Sequence, residues 1–409
     1  MTLHSALPRW IIGLASGSCA ESVDAALLEV QGSGLELKVR LAHAFQQRCP
    51  KDLRELILRT ASLGAADVRQ VSLLHRVLGE TFAAAARQVA DRARFSLQQV
   101  QCLGCPGHIA WHESQGRFPS LLPLGMAAVV AERTGVTTVS DFWSRDLAVG
   151  GQGVPLVALV DYLLFRHPTE TRVLLHLGGA ATVVHLSAGG RVQDLSGFEA
   201  GPCNLLLDGL MRHVTGGRET HDPGGKHAVQ GCCIEPLLER WLGHPFLSRR
   251  PPKSLSCQEF GEEFIVQAVL TARQMHWPLH DLLCTATHFV ARGIKLGLDR
   301  FLLAGVSPDR ILLSGGGVRN GLLWRLLEEQ LAPASLEKTD AHGLPGDFRN
   351  AVAHGMLAAL TLDGVPANVP SATGASGTRL LGSLTPGSSA NWARCVAWMA
   401  AQTAPLTAA

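Results

Sequence analysis

One pattern, met twice, limits the fold more than anything else in this chain. Residues 10–14 read as a strand, Ser16-Gly17-Ser18 as a turn, 23–30 as a second strand and 35–41 as a third. In the third, Leu35, Leu37, Val39 and Leu41 alternate with Glu36, Lys38 and Arg40, giving one buried and one wet face. The order restarts after His167-Pro168. Residues 173–177 are strand-like, Gly178-Gly179 turns, 182–186 are strand-like, Gly189-Gly190 turns, and 192–195 offer a third strand. Helical periodicity follows each copy. Two antiparallel meanders, each trailed by helices, predict a duplicated α/β unit. The copies share pattern and almost no identity. The 409 residues are enough for two such domains.

The first copy is followed by a short helix carrying Leu53, Leu56 and Ile57, then by a long one whose Val71, Leu74, Leu78, Phe82, Ala85 and Val89 share a face. A helix over 126–133 ends at Gly135, a strand occupies 136–140, and a helix fills 156–165. In the second half, helices are expected at 205–214, 261–275 and 282–304. A compact strand at 311–314 leads through Gly315-Gly316-Gly317 to Asn320, placed just before an apolar helical stripe. A last apolar helix spans 348–362. Beyond Gly364 the Pro, Gly, Ser and Ala content reads as mostly irregular.

Composition narrows the class. A formal charge of +2 is near balance and no block of like charge occurs, which argues against a nucleic-acid surface. No apolar run reaches bilayer length, and the apolar 10–14 segment is too short and too quickly interrupted for a signal peptide. Ten scattered cysteines fit a reducing cytoplasm better than a disulfide scaffold. Cys102 and Cys105 form a single CxxC with no second ligand pair, and His108 and His112 lack the Glu of a zinc-protease helix, so neither set reads as a metal centre.

The chemistry is sought elsewhere. Arg145-Asp146 sits on a loop after the 136–140 strand and runs into Gly150-Gly151-Gln152-Gly153. A carboxylate at a buried strand end, beside backbone without side-chain cover, is how a base is held against a bound substrate. Gly17-Ser18 is a tight turn that can offer N–H groups and a hydroxyl to anionic oxygen, with Glu21 and Asp24 close behind as candidates for magnesium. Gly178-Gly179 and Gly315-Gly316-Gly317 are further glycine turns. None belongs to a Walker loop, and no G-x-G-x-x-G follows the first strand. Facing glycine turns, one per half, instead suggest phosphates held in a cleft between similar domains.

These residues resemble the anhydro-N-acetylmuramic acid kinases, within the acetate-and-sugar-kinase/actin ATPase superfamily. The resemblance runs from Gly13 to about Gly387. It is densest from Ala131-Glu132-Arg133-Thr134-Gly135 through Val157, and continues through Leu177-Gly178-Gly179, Gly201-Pro202, Asn204, Pro252-Lys253-Ser254 and Gly315-Gly316-Gly317 with Asn320. It implies two actin-like, ribonuclease H-like domains with mixed five-stranded sheets around a cleft. Domain I would cover 1–170, domain II 171–347, and 348–409 would return to domain I. The implied reaction uses ATP and Mg2+ to open 1,6-anhydro-N-acetylmuramic acid with water and phosphorylate O6, a step of cell-wall recycling. By match, Asp146 is the general base. Gly17, Ser18, Cys19, Ala20, Glu21, Ser22, Val23 and Asp24, with Gly178, Gly179, Gly315, Gly316, Gly317 and Asn320, hold the nucleotide. Arg145, Gly151, Gln152 and Gly153 meet the sugar, and Glu21 carries the metal. A cytoplasmic homodimer with a small amino-sugar substrate, and with neither nucleic acid nor membrane as partner, is expected.

The chain departs from the family at polar positions. The family's Gly-Thr-Ser-Leu-Asp-Gly-Val-Asp is here Gly17 to Asp24 with Glu21 in place of an Asp. Its Ser-His-Gly-Gln-Thr is Cys105-Pro106-Gly107-His108-Ile109. Its Asn-Ile-Gly-Gly-Ile-Ala-Asn begins with His176 and ends with Thr182, its Gly-Phe-Asp-Thr-Gly-Pro carries Glu199 and Ala200, and a Glu becomes Asn350. Two alternative readings follow: a kinase for a different sugar or anhydrosugar, and a catalytically impaired nucleotide-binding regulator.

Overall fold

A computed structural model describes residues 8–17, 20–60, 67–256, 258–303 and 307–403. The strands, in chain order, are β1 (Arg9–Ser16), β2 (Ser22–Gln31), β3 (Lys38–Arg48), β4 (Val100–Gly104), β5 (His108–Glu113), β6 (Ser120–Leu124), β7 (Thr137–Ser140), β8 (Arg172–Leu177), β9 (Ala180–Leu186), β10 (Ser196–Pro202), β11 (Arg310–Ser314), β12 (Ser335–Lys338) and β13 (Ser383–Thr385). One sheet has the order β13-β7-β4-β1-β2-β3, the other β10-β9-β8-β11-β12.

The duplication is real at the level of topology. In the first sheet β1, β2 and β3 pair antiparallel, and β4 and β7 continue beyond β1 in parallel. In the second, β8, β9 and β10 pair antiparallel, and β11 and β12 continue beyond β8 in parallel. Equivalent strands therefore lie in equivalent places, and the turns after β1 and β8 sit at matching corners.

Four expectations are corrected. The first sheet has six strands rather than five, because β13 from the C-terminal tail pairs with β7. The third strand of the second meander is Ser196–Pro202, while Val192–Asp194 is a single 3-10 turn. The two glycines and the proline of β10 masked it in the sequence; they are tolerated because β10 is an edge strand with a bulge at Glu199/Gly201. Asp146 lies on a one-turn helix, Ser144–Leu147, not on a loop. The tail beyond Gly364 is not irregular: after β13 it forms a helix, Ser389–Thr403.

Each sheet is covered by amphipathic helices. Val68–Arg92 lays Leu74, Leu78, Phe82 and Val89 on the first sheet, its N-terminus capped by Asp67, which accepts from the N–H of Gln70. Helix Arg349–Leu362 is buried nearly all round and packs on β1, β2 and β4. Burial of Val352, Met356, Leu357 and Leu360 contributes about 1.5–3 kcal/mol each. It approaches so closely because Gly13 on β1 has no side chain: a Cβ there would overlap the Ala351 carbonyl. In the second domain, helices Asn204–Thr215, Glu262–Gln274, Leu279–Leu298 and Gly321–Leu331 close one core over β8–β11. Among the described residues no helix is long and apolar enough to cross a membrane.

Candidate active site

The matching corners of the two sheets face one cavity of about 670 Å³. Gly17, Gly178, Gly179, Gly315, Gly316, Gly317 and Asn320 all line it, so the glycine turns singled out in the sequence are brought together. Ser18 and Cys19 lie outside the described residues. Ala20, Glu21, Ser22 and Asp24 also line the cavity, whereas Val23 points into the first domain's core.

The turns are built for backbone approach. Gly315 has φ +85°, and a Cβ there would stand 2.7 Å from the Leu177 carbonyl oxygen. The Gly178-Gly179 turn is fixed by the start of the helix Asn204–Thr215. The N–H groups of Cys203 and Leu205 donate to the Gly179 carbonyl, that of Asn204 to Gly178, and the Asn204 side chain to Leu177. Asn320 does double work for its helix, its side chain accepting from the N–H of Leu323.

Asp24 and Glu21 differ sharply. One oxygen of Asp24 accepts from Ser22 (3.0 Å) and Gln46 (2.9 Å), and burial raises its pKa. Glu21 is half-exposed at the cavity mouth. Arg54 stands 3.3 Å from it, and Thr220, across the cavity on the second domain, donates to it at 3.4 Å. Among the described residues, no group of three or more His, Cys, Asp or Glu side chains is placed to hold a metal ion.

Asp146 is fully buried. It accepts from the N–H of Gly153 (2.9 Å), the Asn368 amide (2.8 Å) and the Thr373 hydroxyl (2.7 Å). Gly151 packs directly on the carboxylate, where a Cβ would overlap it. Gly153 lines the cavity; Asp146 lies one layer behind it. Arg145, on the same short helix, is exposed and does not reach the cavity. Gln152 ties the two halves together: its amide donates to Pro252 and accepts from Ser254, while its carbonyl meets His112.

Sequence reasoning missed several wall residues. Phe142, Trp143, Asp222 and Arg319 line the cavity, as does His354 from helix Arg349–Leu362. His354 donates from Nδ1 to the Leu14 carbonyl, and burial pushes it down to about 4. Its signal was a polar residue between Ala353 and Gly355, in the apolar middle of the helix. His176 is pushed down to about 3 by burial and by Arg349, and His108 to about 4 by burial. Arg349 itself pairs with buried Asp161 beneath the floor.

Two sheets of one shared topology, meeting at a cavity walled by glycine turns, define a two-domain α/β protein of the actin-like ATPase fold. The chain belongs to the anhydro-N-acetylmuramic acid kinase family, whose model matches residues 9–387, and so to a family of phosphotransferases. The anhydro-N-acetylmuramic acid kinase of Gloeobacter violaceus is 38% identical over 93% of this chain and 99% of its own. That of Acaryochloris marina is 36% identical over 91% and 99%. Among solved structures, the activator of 2-hydroxyisocaproyl-CoA dehydratase from Clostridium difficile with bound ADPNP aligns over 86% of this chain and 94% of its own, at 10% identity and a TM-score of 0.41.

Proposed function

We propose that this protein is an ATP-dependent kinase that opens 1,6-anhydro-N-acetylmuramic acid with water and phosphorylates O6, giving N-acetylmuramic acid 6-phosphate and ADP. The family match, unbroken from residue 9 to 387, carries the reading.

The nucleotide's phosphates lie between the Gly17 and Gly178-Gly179 corners, with the nucleoside toward Gly315-Gly316-Gly317 and Asn320. Backbone N–H groups there, preset before the reaction, stabilise charge spreading over the transferring phosphoryl. Asp24 is the better-fitting magnesium ligand: it is half-buried, lines the cavity and, among the described residues, has no ion pair. Glu21, held by Arg54, stands at the outer edge of that site. Magnesium keeps most of its water and phosphate oxygens, so a site with one or two carboxylates suits it. When bound, it neutralises part of the phosphate charge.

Asp146 takes a proton from the water that attacks C1 as the C1–O6 bond breaks. The freed O6 accepts the γ-phosphoryl, ADP leaves, and the proton passes from Asp146 to solvent. Gly153, whose N–H donates to the carboxylate, lines the cavity, and sugar binding shifts the segment from Gly151 to Gly153 to admit the water. ADP release in the presence of magnesium and a panel of anhydrosugars and free sugars tests the reading. Turnover only with 1,6-anhydro-N-acetylmuramic acid is expected, and ATP binding without turnover of any sugar would refute it.

A further inference from the structure

Helix Arg349–Leu362 carries an imidazole down onto the strand ends of the first sheet. Gly13 on β1 and Gly104 on β4 let the helix touch the sheet: a Cβ on the first would overlap the Ala351 carbonyl, and one on the second the His354 carbonyl. His354 therefore stands over β4, the strand between β1 and β7. On one side its Nδ1 lies 3.0 Å from the carbonyl of Leu14, two residues before Ser16, where the Gly17 turn opens. On the other its ring stacks on Phe142, with centroids 5.9 Å apart, and meets the edge of Trp143 at 6.4 Å. Trp143 leads into the Ser144–Leu147 turn that bears Asp146, and it lies against Gly153. Phe142, Trp143, Gly153 and His354 all line the cavity. The ring thus spans the gap between the phosphate corner and the segment over Asp146. A sugar that meets both the attacking water and the γ-phosphoryl has to lie along that gap.

The hydrogen bonding fixes what the ring presents. A carbonyl oxygen only accepts, so Nδ1 carries the hydrogen that Leu14 receives. The Asn350 carbonyl, one turn back on the same helix, is a second acceptor against the ring. Burial, with a smaller push from Arg349, holds the imidazole neutral, its pKa down at about 4, so Nε2 keeps a lone pair. Among the described residues no donor reaches Nε2. An acceptor without a donor in a low-dielectric wall is unfavourable until a ligand supplies one. The proposed substrate has few donors to supply. Its anhydro bridge and its lactyl ether at O3 leave one free ring hydroxyl, at C4. The attacking water has two hydrogens, of which Asp146 takes one.

We propose that Nε2 of His354 accepts a hydrogen bond from an O–H group at the reacting centre, the second hydrogen of the attacking water or the C4 hydroxyl of the sugar, and so orients it for reaction. The inference rests on the sugar-kinase reading, and its test reads binding and turnover separately. Calorimetry with magnesium and a non-hydrolysable ATP analogue, and ADP release with ATP, would compare 1,6-anhydro-N-acetylmuramic acid with its 4-deoxy analogue on the full chain. His354→Phe keeps an aromatic ring on Phe142 and removes the acceptor. His354→Gln has an amide that can donate to Leu14 and still offer an oxygen.

If the donor is the water, His354→Phe lowers kcat roughly tenfold on both sugars, the size of one buried hydrogen bond, and leaves their affinities unchanged. If the donor is the C4 hydroxyl, affinity for the parent sugar falls roughly tenfold, while the 4-deoxy analogue binds wild type and variant alike. Either pattern supports the proposal when His354→Gln restores most of the loss and nucleotide affinity is intact. A folded His354→Phe with kcat and sugar affinity within about twofold of wild type overturns it. So does a loss shared with nucleotide affinity and not restored by His354→Gln, the mark of a ring that only fastens the helix to β1. Should His354→Phe melt below the assay temperature, His354→Met makes the same comparison. Sugar binding that depends on His354 without phosphoryl transfer would instead refute the kinase reading and leave this one standing.

Discussion

Replacing Asp146 by Asn separates its structural role from the base proposed for it. The carboxylate accepts three buried hydrogen bonds, from Gly153, Asn368 and Thr373, and an amide can accept only at its single oxygen. If that oxygen keeps Asn368 and Thr373, the new NH2 faces the Gly153 N–H, donor against donor. A buried donor without a partner costs about 1–3 kcal/mol. The other two bonds also lose the assistance of a full charge, so the total is about 2–4 kcal/mol. The catalytic effect is separate: loss of a general base lowers kcat about 100- to 10,000-fold. ADP release should be measured with magnesium and anhydrosugar at a temperature where calorimetry shows the variant folded, with nucleotide binding as control. Thr373→Val, which removes one of the three donors and leaves the carboxylate, should cost about 1 kcal/mol and less than tenfold in kcat. Folded Asp146→Asn retaining a tenth or more of wild-type kcat would refute the assignment of the base.

Stability should depend on pH in two opposed ways. His108, His176 and His354 are held near 4, 3 and 4, below the ordinary 6.5, so the unfolded chain binds their protons first. The stability they contribute is present above pH 6.5 and lost as pH falls, and the melting temperature should drop between pH 6.5 and 5. Glu199, raised from 4.5 to about 7, works the other way: its contribution falls as pH rises across that interval, by about 3 kcal/mol. Glu199→Gln should therefore gain on wild type in melts above pH 7 and not at pH 4.5; an equal gain at both would contradict this. Gly13→Ala drives a methyl into the helix backbone at Ala351, and a melt should show a loss of about 1–3 kcal/mol or more. Arg349→Met strands the Asp161 carboxylate in the interior at about 3–5 kcal/mol, and adding Asp161→Leu should restore most of it; an unrecovered double variant would point to a role for Arg349 beyond the pair.

The meander pattern was legible because strand alternation and glycine turns are local signals, although the third strand, read over 35–41, starts at Lys38 and runs to Arg48, with Leu35 on an exposed 3-10 turn. It placed Gly17, Gly178-Gly179 and Gly315-Gly316-Gly317 as elements that meet in one cavity, and it put Asn320 just before the helix that the structure shows it to cap. What escaped was set by tertiary context. β10 carries Gly197, Gly201 and Pro202, residues that argue against a strand until an edge and a bulge accommodate them. β12 and β13 are four and three residues long and exist through the strands they join. The departures at His176, Thr182, Glu199 and Asn350 looked scattered in sequence. Register puts the first three in one line, and Asn350 stands 3.4 Å from His176. Arg145 was expected beside the sugar, but on a helical turn the adjacent Asp146 points inward and Arg145 outward.

Mass spectrometry of the sugar after incubation of the full chain with ATP, magnesium and 1,6-anhydro-N-acetylmuramic acid tests the central claim most directly. The account predicts a product heavier than the substrate by one water and one phosphoryl group, formed in step with ADP. An unaltered sugar, or a product that has gained a phosphoryl group and kept its anhydro ring, would contradict it.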